Sequence, residues 1–472
     1  MNSTFDFTEI ILQYEKNVFH ESSESSFTYS SFFKKVQSVA VWLGSQGVKK
    51  NEIVILKNTD VEIYPILIFA LWKIGAVVFP VNPKIPSAST ANVIDESNAA
   101  HVIGEKAEEL KESHFIDCTP LKQLSFNAHD LLNYSKSMET PALIIMTSGS
   151  SGKPKYALHT FRSLYYNAVG VNSYFNLTED DHWLVTLPFY HVGGLGILLR
   201  CFLAGARYSL LSPGRESLNN AINKRKPTHI SLVFTQLQRL LENRKTSESL
   251  KACKAVFLGG SAIPGSVIDH ALSLGINLYS GYGLTEMGST VAIRNHKTEN
   301  KDVAEILKHR EVKVLDNEIL LRGKCLFAGY QEKGGVNLPL NNDWFHTGDL
   351  GILKNDKITV TGRKDNMFIS GGENIQPEEI EKTLLNLDGI EQALVVPCDN
   401  KEYGQRPCAF IKYSEGIDFD EKKIRDSLKI KLPSFKIPDK ILQWPEQVAQ
   451  QSQGSIKVKR SWFIEYASGL CD

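Results

Sequence analysis

A stretch rich in glycine, hydroxyl and lysine side chains follows the apolar run from Ala142 to Met146. A buried strand that ends in such a loop can close backbone N–H groups on an anion, while hydroxyls add donors and lysines add charge. Only two residues separate Gly149 from Gly152, a shorter spacing than in a Walker A loop. Pro154 disfavours helix before it, so the loop should not run directly into a helix. We predict phosphate contacts from Thr147, Ser148, Gly149, Ser150, Ser151, Gly152, Lys153 and Lys155, with a plain solvated loop as the alternative.

A second polar stretch contains Gly281, Tyr282, Gly283, Thr285 and Glu286. The glycines permit close backbone approach, and Tyr282 offers a flat face for a purine. Mg²⁺ prefers few carboxylates together with phosphate oxygens, so Glu286 is a candidate metal ligand and Thr285 a candidate phosphate contact. Taken alone, a Tyr-Gly pair is more often a turn.

Two further segments could hold other parts of a ligand. The Asp349 carboxylate can accept two hydrogen bonds from a vicinal diol such as ribose, although a Gly-Asp turn is the simpler interpretation. Farther on, Gly371 and Gly372 leave room for a narrow ligand, and Pro377 followed by acidic residues predicts a helix start.

In this order, the motifs resemble those of the adenylate-forming superfamily, which includes acyl-CoA synthetases, adenylation domains of peptide synthetases and firefly-type luciferases. The loop resembles its phosphate-binding signature, and the stretch from Tyr282 to Glu286 resembles its Tyr-Gly-x-Thr-Glu motif. The resemblance covers nearly the whole chain. It implies that Tyr282 lies near adenine, Thr285 contacts phosphate, Glu286 binds Mg²⁺, Asp349 holds the ribose and Arg363 contacts the nucleotide.

The resemblance also implies a small domain that swings about Asp365, with Gly371 and Gly372 beside a tunnel for coenzyme A. The family usually ends in Gly-Lys-Ile/Val-x-Arg, where the lysine reaches the reacting carboxylate. Here Ile456 stands where the glycine is usual if Lys457 is taken as that lysine. We choose Lys457 because this alignment keeps both charged positions; aligning on Gly454 would lose the lysine, and Lys459 is the weaker alternative.

The acid to be activated is best indicated by the segment from Leu187 to Arg200. His191 precedes two glycines and matches a family position in the acyl pocket, which the resemblance extends to Gly259 and Gly260. Arg200 follows on a predicted helix. A buried guanidinium needs an anionic partner, which a simple fatty acid lacks but an acid with a second carboxylate has. Together with Ala204-Gly205-Ala206, the short chain and the ending from Ile456 to Arg460, this segment resembles o-succinylbenzoate–CoA ligases of menaquinone biosynthesis, and the resemblance implies such an acid. A structural arginine is the alternative.

The activity implied is a two-step ligation that uses ATP, Mg²⁺ and coenzyme A. The acid first forms an acyl-adenylate and pyrophosphate, and a thiol then displaces AMP. Four alternatives stay open: another aryl- or fatty-acyl-CoA ligase, an amino-acid adenylation domain, a luciferase-like oxygenase, and a non-catalytic nucleotide-binding protein on the same fold.

The elements that must position these residues alternate along the chain. Apolar runs predict buried strands, and longer amphipathic stretches predict helices, which together favour an α/β fold with largely parallel sheets. We predict strands at 53–56, 76–81, 183–187, 229–234, 255–258 and 276–279 and helices at 31–43 and 65–74. Short strands beyond residue 310 predict a small barrel-like β appendage. We expect a large N-terminal AMP-binding domain over 1–364 and a small mobile α+β domain over 365–472.

The amino-acid composition limits the classes of molecule that this protein is expected to bind. Of 472 residues, 53 are Lys or Arg and 53 are Asp or Glu, so no overall charge favours nucleic acid or an anionic membrane. Seven scattered cysteines indicate a reducing compartment rather than a disulfide framework or zinc site. Neither a secretory signal nor a membrane span is visible, and we expect a cytoplasmic enzyme of a small carboxylic acid. A homodimer is a family expectation.

Overall fold

The computed structural model describes residues 3–23, 25–57, 60–105, 115–122, 133–148, 154–211, 216–259, 263–298, 303–414, 417, 419–445 and 460–469. Strands and helices alternate through most of this length, so the predicted α/β class is confirmed. In the described part of the chain no helix is both long and apolar enough to cross a membrane.

The strands lie in three larger sheets and one small pair. In chain order they are β1 (Thr4–Asp6), β2 (Val18–Glu21), β3 (Ser26–Thr28), β4 (Ile53–Leu56), β5 (Val77–Pro80), β6 (Ala99–Gly104), β7 (Phe115–Asp117), β8 (Ser135–Ser137), β9 (Pro141–Ser148), β10 (Pro154–Thr160), β11 (His182–Val185), β12 (Arg207–Leu210), β13 (His229–Leu232), β14 (Ala255–Leu258), β15 (Leu278–Leu284), β16 (Ser289–Asn295), β17 (Ala304–Ile306), β18 (Arg310–Leu315), β19 (Glu318–Gly323), β20 (Gly329–Glu332), β21 (Gly335–Asn337), β22 (Leu340–Asn341), β23 (Trp344–Lys354), β24 (Lys357–Arg363), β25 (Phe368–Ser370), β26 (Glu373–Ile375), β27 (Ile390–Asn400), β28 (Gly404–Tyr413) and β29 (Lys440–Gln443).

The helices pack on the faces of these sheets. They are α1 (Phe7–Gln13), α2 (Tyr29–Ser45), α3 (Tyr64–Ile74), α4 (Ser87–Ser97), α5 (Phe161–Phe175), α6 (Val192–Ala204), α7 (Leu218–Arg225), α8 (Phe234–Leu241), α9 (Arg244–Lys251), α10 (Gly265–Ser273), α11 (Pro377–Leu385), α12 (Glu421–Lys431) and α13 (Arg460–Ser468).

The first large sheet has the order β21-β20-β10-β9-β5-β4-β6-β7. Its strands from β9 to β7 are parallel, whereas β10, β20 and β21 continue it by antiparallel pairing. The predicted strand at 53–56 coincides with β4. Helix α3 has Pro65 in its first turn, where a missing N–H costs no hydrogen bond, and ends at Gly75 in the left-handed conformation.

The second large sheet has two halves. Strands β15, β14, β13, β11, β12 and β2 are parallel, and β16, β17, β24, β23, β19 and β18 continue the same sheet by antiparallel pairing. The β appendage is therefore joined to the parallel half through β15 and β16. Four predicted strands differ in extent: the one at 76–81 is observed as Val77–Pro80 and the one at 183–187 as His182–Val185. The one at 229–234 ends at Leu232 because Phe234 begins α8, and the one at 276–279 extends to Leu284 because β16 pairs along it.

The third sheet, of order β26-β25-β28-β27 with β29 beside β28, lies in the C-terminal part of the chain. Helices α11 and α12 pack on it around Ile380, Leu384 and Leu428. The cysteines Cys118, Cys201, Cys253, Cys325 and Cys408 are free and buried. Cys398 is disulfide-bonded, which the scattered spacing did not predict.

Candidate active site

The predicted site segments lie on the two large sheets, and several of them directly follow a parallel strand. In the parallel strands β11, β14 and β15 the chain leaves the sheet at the carboxyl end, and the segments beginning at His191 and Gly259 follow β11 and β14 there. In parallel sheets, that edge is where ligands bind. Strand β9 also runs parallel to its neighbour and ends at Ser148, where the glycine-rich loop begins.

The glycine-rich loop joins two antiparallel strands. Thr147 on β9 is paired with Lys155 on β10, so the strand after the loop begins at Pro154 and no helix follows it directly. Residues 149–153 and the side chain of Ser148 lie outside the described residues, so the contacts predicted for them stay predictions. The register places Thr147 and Lys155 beside each other at the base of the loop.

Asp349 is buried and lies at the centre of a partly buried polar cluster. Its Oδ2 accepts a hydrogen bond from the Tyr282 hydroxyl at 2.7 Å, and its Oδ1 accepts one from Arg363 Nη1 at 2.8 Å. Asp349 and Arg363 are cross-strand neighbours on β23 and β24. The structure thus brings together three residues predicted to bind the nucleotide. Each carboxylate oxygen has a second lone pair, so the cluster can still accept ribose hydroxyls.

Strand β15 carries the Tyr-Gly segment into the site. Gly281 and Gly283 lie within this strand rather than in a turn. A Cβ on Gly281 would lie 2.6 Å from the Phe257 ring, and one on Gly283 would lie 1.9 Å from the Ser289 carbonyl oxygen. Both positions therefore require glycine for backbone packing, whatever a ligand demands. Burial first, and then the charge of Asp349, raises the pKa of Tyr282.

Thr285 and Glu286 form a 3-10 turn immediately after β15. The Glu286 Oε1 accepts a hydrogen bond at 2.7 Å from the hydroxyl of Tyr330, which the sequence did not single out. Among the residues that the structure describes, no lysine, arginine or histidine pairs with Glu286. A half-buried carboxylate without a cationic partner, close to a phosphate loop, fits the donor that Mg²⁺–ATP requires. Behind the turn, the buried His159 ring faces the Thr285 backbone, and burial lowers its pKa to about 4.

The residues assigned to domain movement and coenzyme A lie farther along the chain. Asp365 follows β24 and accepts a hydrogen bond from Arg363 Nη2 at 2.9 Å. Gly371 and Gly372 form the turn between β25 and β26 with φ values of +57° and +87°, which explains both glycines without a ligand. Their role towards coenzyme A stays a prediction. Lys457 and Gly260 lie outside the described residues.

The segment predicted to face the acyl group follows β11 and includes α6. His191 immediately precedes α6 and contacts the Tyr190 ring. A Cβ on Gly194 would lie 2.4 Å from the Pro188 carbonyl oxygen, so the second glycine of the predicted pair is required for the entry into this helix. No described atom lies within 4 Å of a Cβ built on Gly259.

Arg200 lies on α6, as predicted, and is 1% exposed. Its guanidinium lies over the Trp183 ring at 5.5 Å and turns back along the helix to within 3.5 Å of the space that a Cβ on Gly196 would fill. Helical side chains lean towards the helix N-terminus, which here is the end nearest the carboxyl edge of β11. The guanidinium therefore extends towards the N-terminal end of α6.

The charge of Arg200 is poorly compensated by the folded chain. Its Nε and Nη2 find no hydrogen-bond partner within the described ranges. Burial lowers its pKa to about 10, and the positive charge of Arg310 adds to the shift, so the group stays protonated at neutral pH. A buried, protonated and unpaired guanidinium is costly, and a carboxylate would satisfy it bidentately.

Sequence reasoning missed two residues of this site. Trp183 was predicted as part of a buried strand, and nothing in its neighbourhood indicated that its ring lies under Arg200. Tyr330 belongs to a Gly-Tyr pair that has no distinguishing composition. Its contact with Glu286 depends on two strands distant in sequence.

Comparison with known proteins identifies the family to which the chain is similar. The family model "AMP-binding enzyme" matches residues 9–331, and "AMP-binding enzyme C-terminal domain" matches residues 379–453. A 2-succinylbenzoate–CoA ligase of Salmonella typhimurium is 34% identical, over 94% of this chain and 93% of its own length. The Escherichia coli 2-succinylbenzoate–CoA ligase is 36% identical, over 92% and 91%. A structure of an Escherichia coli MenE variant with bound OSB-AMS superimposes with a TM-score of 0.84 at 30% identity, covering 98% of both chains.

Proposed function

The chain belongs to the AMP-binding enzyme family, and we propose that it is an ATP-dependent ligase that converts 2-succinylbenzoate to 2-succinylbenzoyl-CoA in menaquinone biosynthesis. The names of the similar ligases support this substrate. The observation in the structure that carries the proposal is the buried Arg200 guanidinium, whose Nε and Nη2 lack partners among the described residues.

In the first step, an oxygen of the substrate carboxylate attacks the α-phosphorus of ATP and pyrophosphate leaves. The Tyr282–Asp349–Arg363 cluster holds the ribose, and the loop from Thr147 to Lys155 orients the leaving pyrophosphate. Mg²⁺, held by Glu286 and phosphate oxygens, would neutralise phosphate charge. Lys457 would reach the reacting carboxylate and stabilise the charge that develops there. Little proton transfer is needed, which fits the absence of any Ser-His-Asp arrangement in the predicted motifs.

In the second step, the coenzyme A thiol attacks the acyl carbon and AMP leaves. This step requires that Lys457 withdraw and that a path for the thiol open. We propose that the domains span 1–364 and 365–472 and that rotation about Asp365 serves both steps. The 3-10 turn at Lys364–Asn366, between β24 and the third sheet, is a short connection suited to such a rotation.

The acyl side distinguishes the substrate from a simple aromatic or fatty acid. 2-Succinylbenzoate has two carboxylates, one to be activated and one to be bound. Arg200, held over Trp183 and directed towards the N-terminal end of α6, is suited to bind the second. His191 and Gly259 follow β11 and β14. We place the reaction in the cytoplasm because ATP and coenzyme A are supplied there; a homodimer stays a family expectation.

The test is thioester formation by the purified protein with ATP, Mg²⁺ and coenzyme A, across 2-succinylbenzoate, benzoate and medium-chain acids. We expect turnover with 2-succinylbenzoate and release of AMP and pyrophosphate. Turnover of benzoate or a medium-chain acid alone would favour another acyl-CoA ligase. Nucleotide binding without turnover of any acid would favour a non-catalytic role.

A further inference from the structure

Tyr330 lies between a cationic and an anionic residue of the site. Its hydroxyl donates to Glu286 Oε1 at 2.7 Å, and the Lys155 Nζ lies 4.9 Å from the centre of its ring. The Tyr330 side chain is 8% exposed, Glu286 is half-buried and Lys155 is exposed, so the hydrogen bond is the better shielded of the two contacts. One phenol thus engages the candidate metal ligand with its edge and a candidate phosphate-binding lysine with its face.

The backbone fixes Tyr330 in this place. Tyr330 on β20 pairs with Ala157 on β10, two residues after Lys155. Just before it, the Phe327 N–H donates to the Glu286 carbonyl oxygen at 2.8 Å and the Ala328 N–H to the Leu158 carbonyl oxygen at 2.8 Å. The Phe327 ring also packs on the Tyr330 ring, with 4.9 Å between centres. The tyrosine therefore connects the strand after the phosphate loop in one large sheet to the Glu286 turn in the other.

The arrangement has a chemical consequence. A lysine and a glutamate that both face one ligand can pair with each other, and the pair would withdraw the lysine from phosphate and the carboxylate from metal. Here the phenol O–H satisfies one carboxylate oxygen, while the ring face attracts the ammonium group. The second carboxylate oxygen stays available to a cation.

We propose that Tyr330 is a positioning residue that keeps Lys155 and Glu286 apart and orients Glu286, and so sets the affinity of the enzyme for the Mg²⁺–ATP unit. The proposal rests on the proposed function, because it assumes that Glu286 and Lys155 face ATP. It adds a residue whose part is indirect, through Glu286 and Lys155.

The chain provides a matched control nearby. The Tyr156 hydroxyl donates to Glu96 Oε2 at 2.6 Å, which is the same chemical pair. Glu96, Lys155, Tyr156 and Tyr330 all line one cavity of about 330 Å³, so the two tyrosines share their surroundings. Glu96 lies on α4, outside every motif assigned to the nucleotide. Loss of the Tyr156 hydroxyl should therefore leave Mg²⁺–ATP binding unchanged.

The experiment compares Tyr330→Phe and Tyr156→Phe with the wild type. Each protein is titrated with Mg²⁺ at a fixed ATP concentration. One assay measures the rate of ATP–pyrophosphate exchange, and the other measures the further rise in melting temperature that Mg²⁺ produces when ATP is already present. We expect Tyr330→Phe to need about tenfold more Mg²⁺ in both assays, as for loss of a hydrogen bond to a charged group. The shift produced by ATP in EDTA should not change, and Tyr156→Phe should match the wild type.

Two further measurements separate the possible failures. On a Glu286→Gln background, Tyr330→Phe should add no further change in Mg²⁺ dependence, because the two residues act as a unit. Wild-type Mg²⁺ dependence in Tyr330→Phe, or an equal defect in Tyr156→Phe, would overturn the inference while leaving the ligase proposal intact. An inactive wild type whose melting temperature still responds to Mg²⁺–ATP through Tyr330 would instead overturn the ligase proposal alone.

Discussion

Asp349 and Arg200 are both buried charged residues of the candidate site, but they differ in how many hydrogen-bond partners the folded chain gives them. Asp349, on the proposed nucleotide side, accepts hydrogen bonds on both carboxylate oxygens, from Tyr282 and Arg363. Arg200, on the proposed acyl side, has an aromatic ring beneath it and two nitrogens without partners in the described part of the chain. One side is organised before any ligand arrives, whereas the other retains an unsatisfied charge.

This difference fits what the two sides must recognise. Every member of an AMP-binding family meets the same nucleotide, so its contacts can be held in place by the fold. An acid pocket must reject other acids, and an unpaired buried charge does so because only a substrate with a matching anion offsets its desolvation. The unpaired charge of Arg200 would lower the stability of the substrate-free protein, and the same charge would make binding specific for acids with a matching anion.

The largest expected effect concerns Lys457, a charged residue that belongs to neither the nucleotide side nor the acyl side. Lys457→Ala should lower the rate of adenylate formation by about 100- to 1,000-fold, since it removes a group that stabilises developing negative charge. Thioester formation from supplied acyl-adenylate should be preserved, and single-turnover assays of each step would measure both. An equal loss in both steps would assign Lys457 a structural role. The same assays on Lys459→Ala provide the control.

A second change tests the unsatisfied side directly. Arg200→Met should raise KM for 2-succinylbenzoate by about 100-fold and leave KM for ATP unchanged, because truncating one member of a buried charge pair costs about 2–5 kcal/mol. Steady-state kinetics would measure this. Arg322→Met, at an exposed ion pair with Glu311, should change neither constant. An unchanged KM for the acid would make Arg200 a structural arginine.

The same variant has an opposite effect on stability. Without substrate, Arg200→Met should unfold at a higher urea concentration, with a free energy of unfolding raised by about 1–3 kcal/mol. The reason is that an uncompensated buried charge is replaced by an apolar side chain of similar size. A loss of stability would indicate that Arg200 has a partner in the folded protein and would remove the contrast with Asp349.

On the satisfied side, Asp349→Asn should raise KM for ATP by about tenfold, in line with the loss of charge-assisted hydrogen bonds. KM for the acid should stay near the wild-type value. Because Arg363 is 41% exposed, it can turn to water when its partner is lost, and we expect little change in folding stability. A larger effect on the acid than on ATP would contradict the division of the site into two sides.

The smallest effect concerns pH. The pKa of His159, behind Thr285, is lowered to about 4 by burial, whereas an unfolded histidine titrates near 6.5. The unfolded chain therefore binds more protons between these values, and the stability contributed by neutral His159 is complete above about pH 6.5 and is lost as pH falls towards 4. From pH 7 to 5.5, the wild type should lose about 1 kcal/mol more than His159→Gln in urea unfolding. Equal losses in the two proteins would show that His159 is not held neutral.

The sequence by itself determined which chemical groups this protein has and in what order. Pro154 and the glycine spacing excluded a Walker loop, and apolar runs located β4 and β14 at their observed bounds. These features are local, because strand propensity, proline geometry and motif spacing depend on neighbours along the chain.

Only the tertiary structure decided which of those groups have partners. Asp349 and Arg363 are joined by strand register, and Tyr330 reaches Glu286 because β20 pairs with β10 while Phe327 binds the Glu286 backbone. Packing likewise decides that Arg200 faces Trp183 and not a carboxylate of the chain. The sequence shows an arginine at this position in either case. Register and burial arise from contacts between residues far apart in the chain, and no local pattern encodes them.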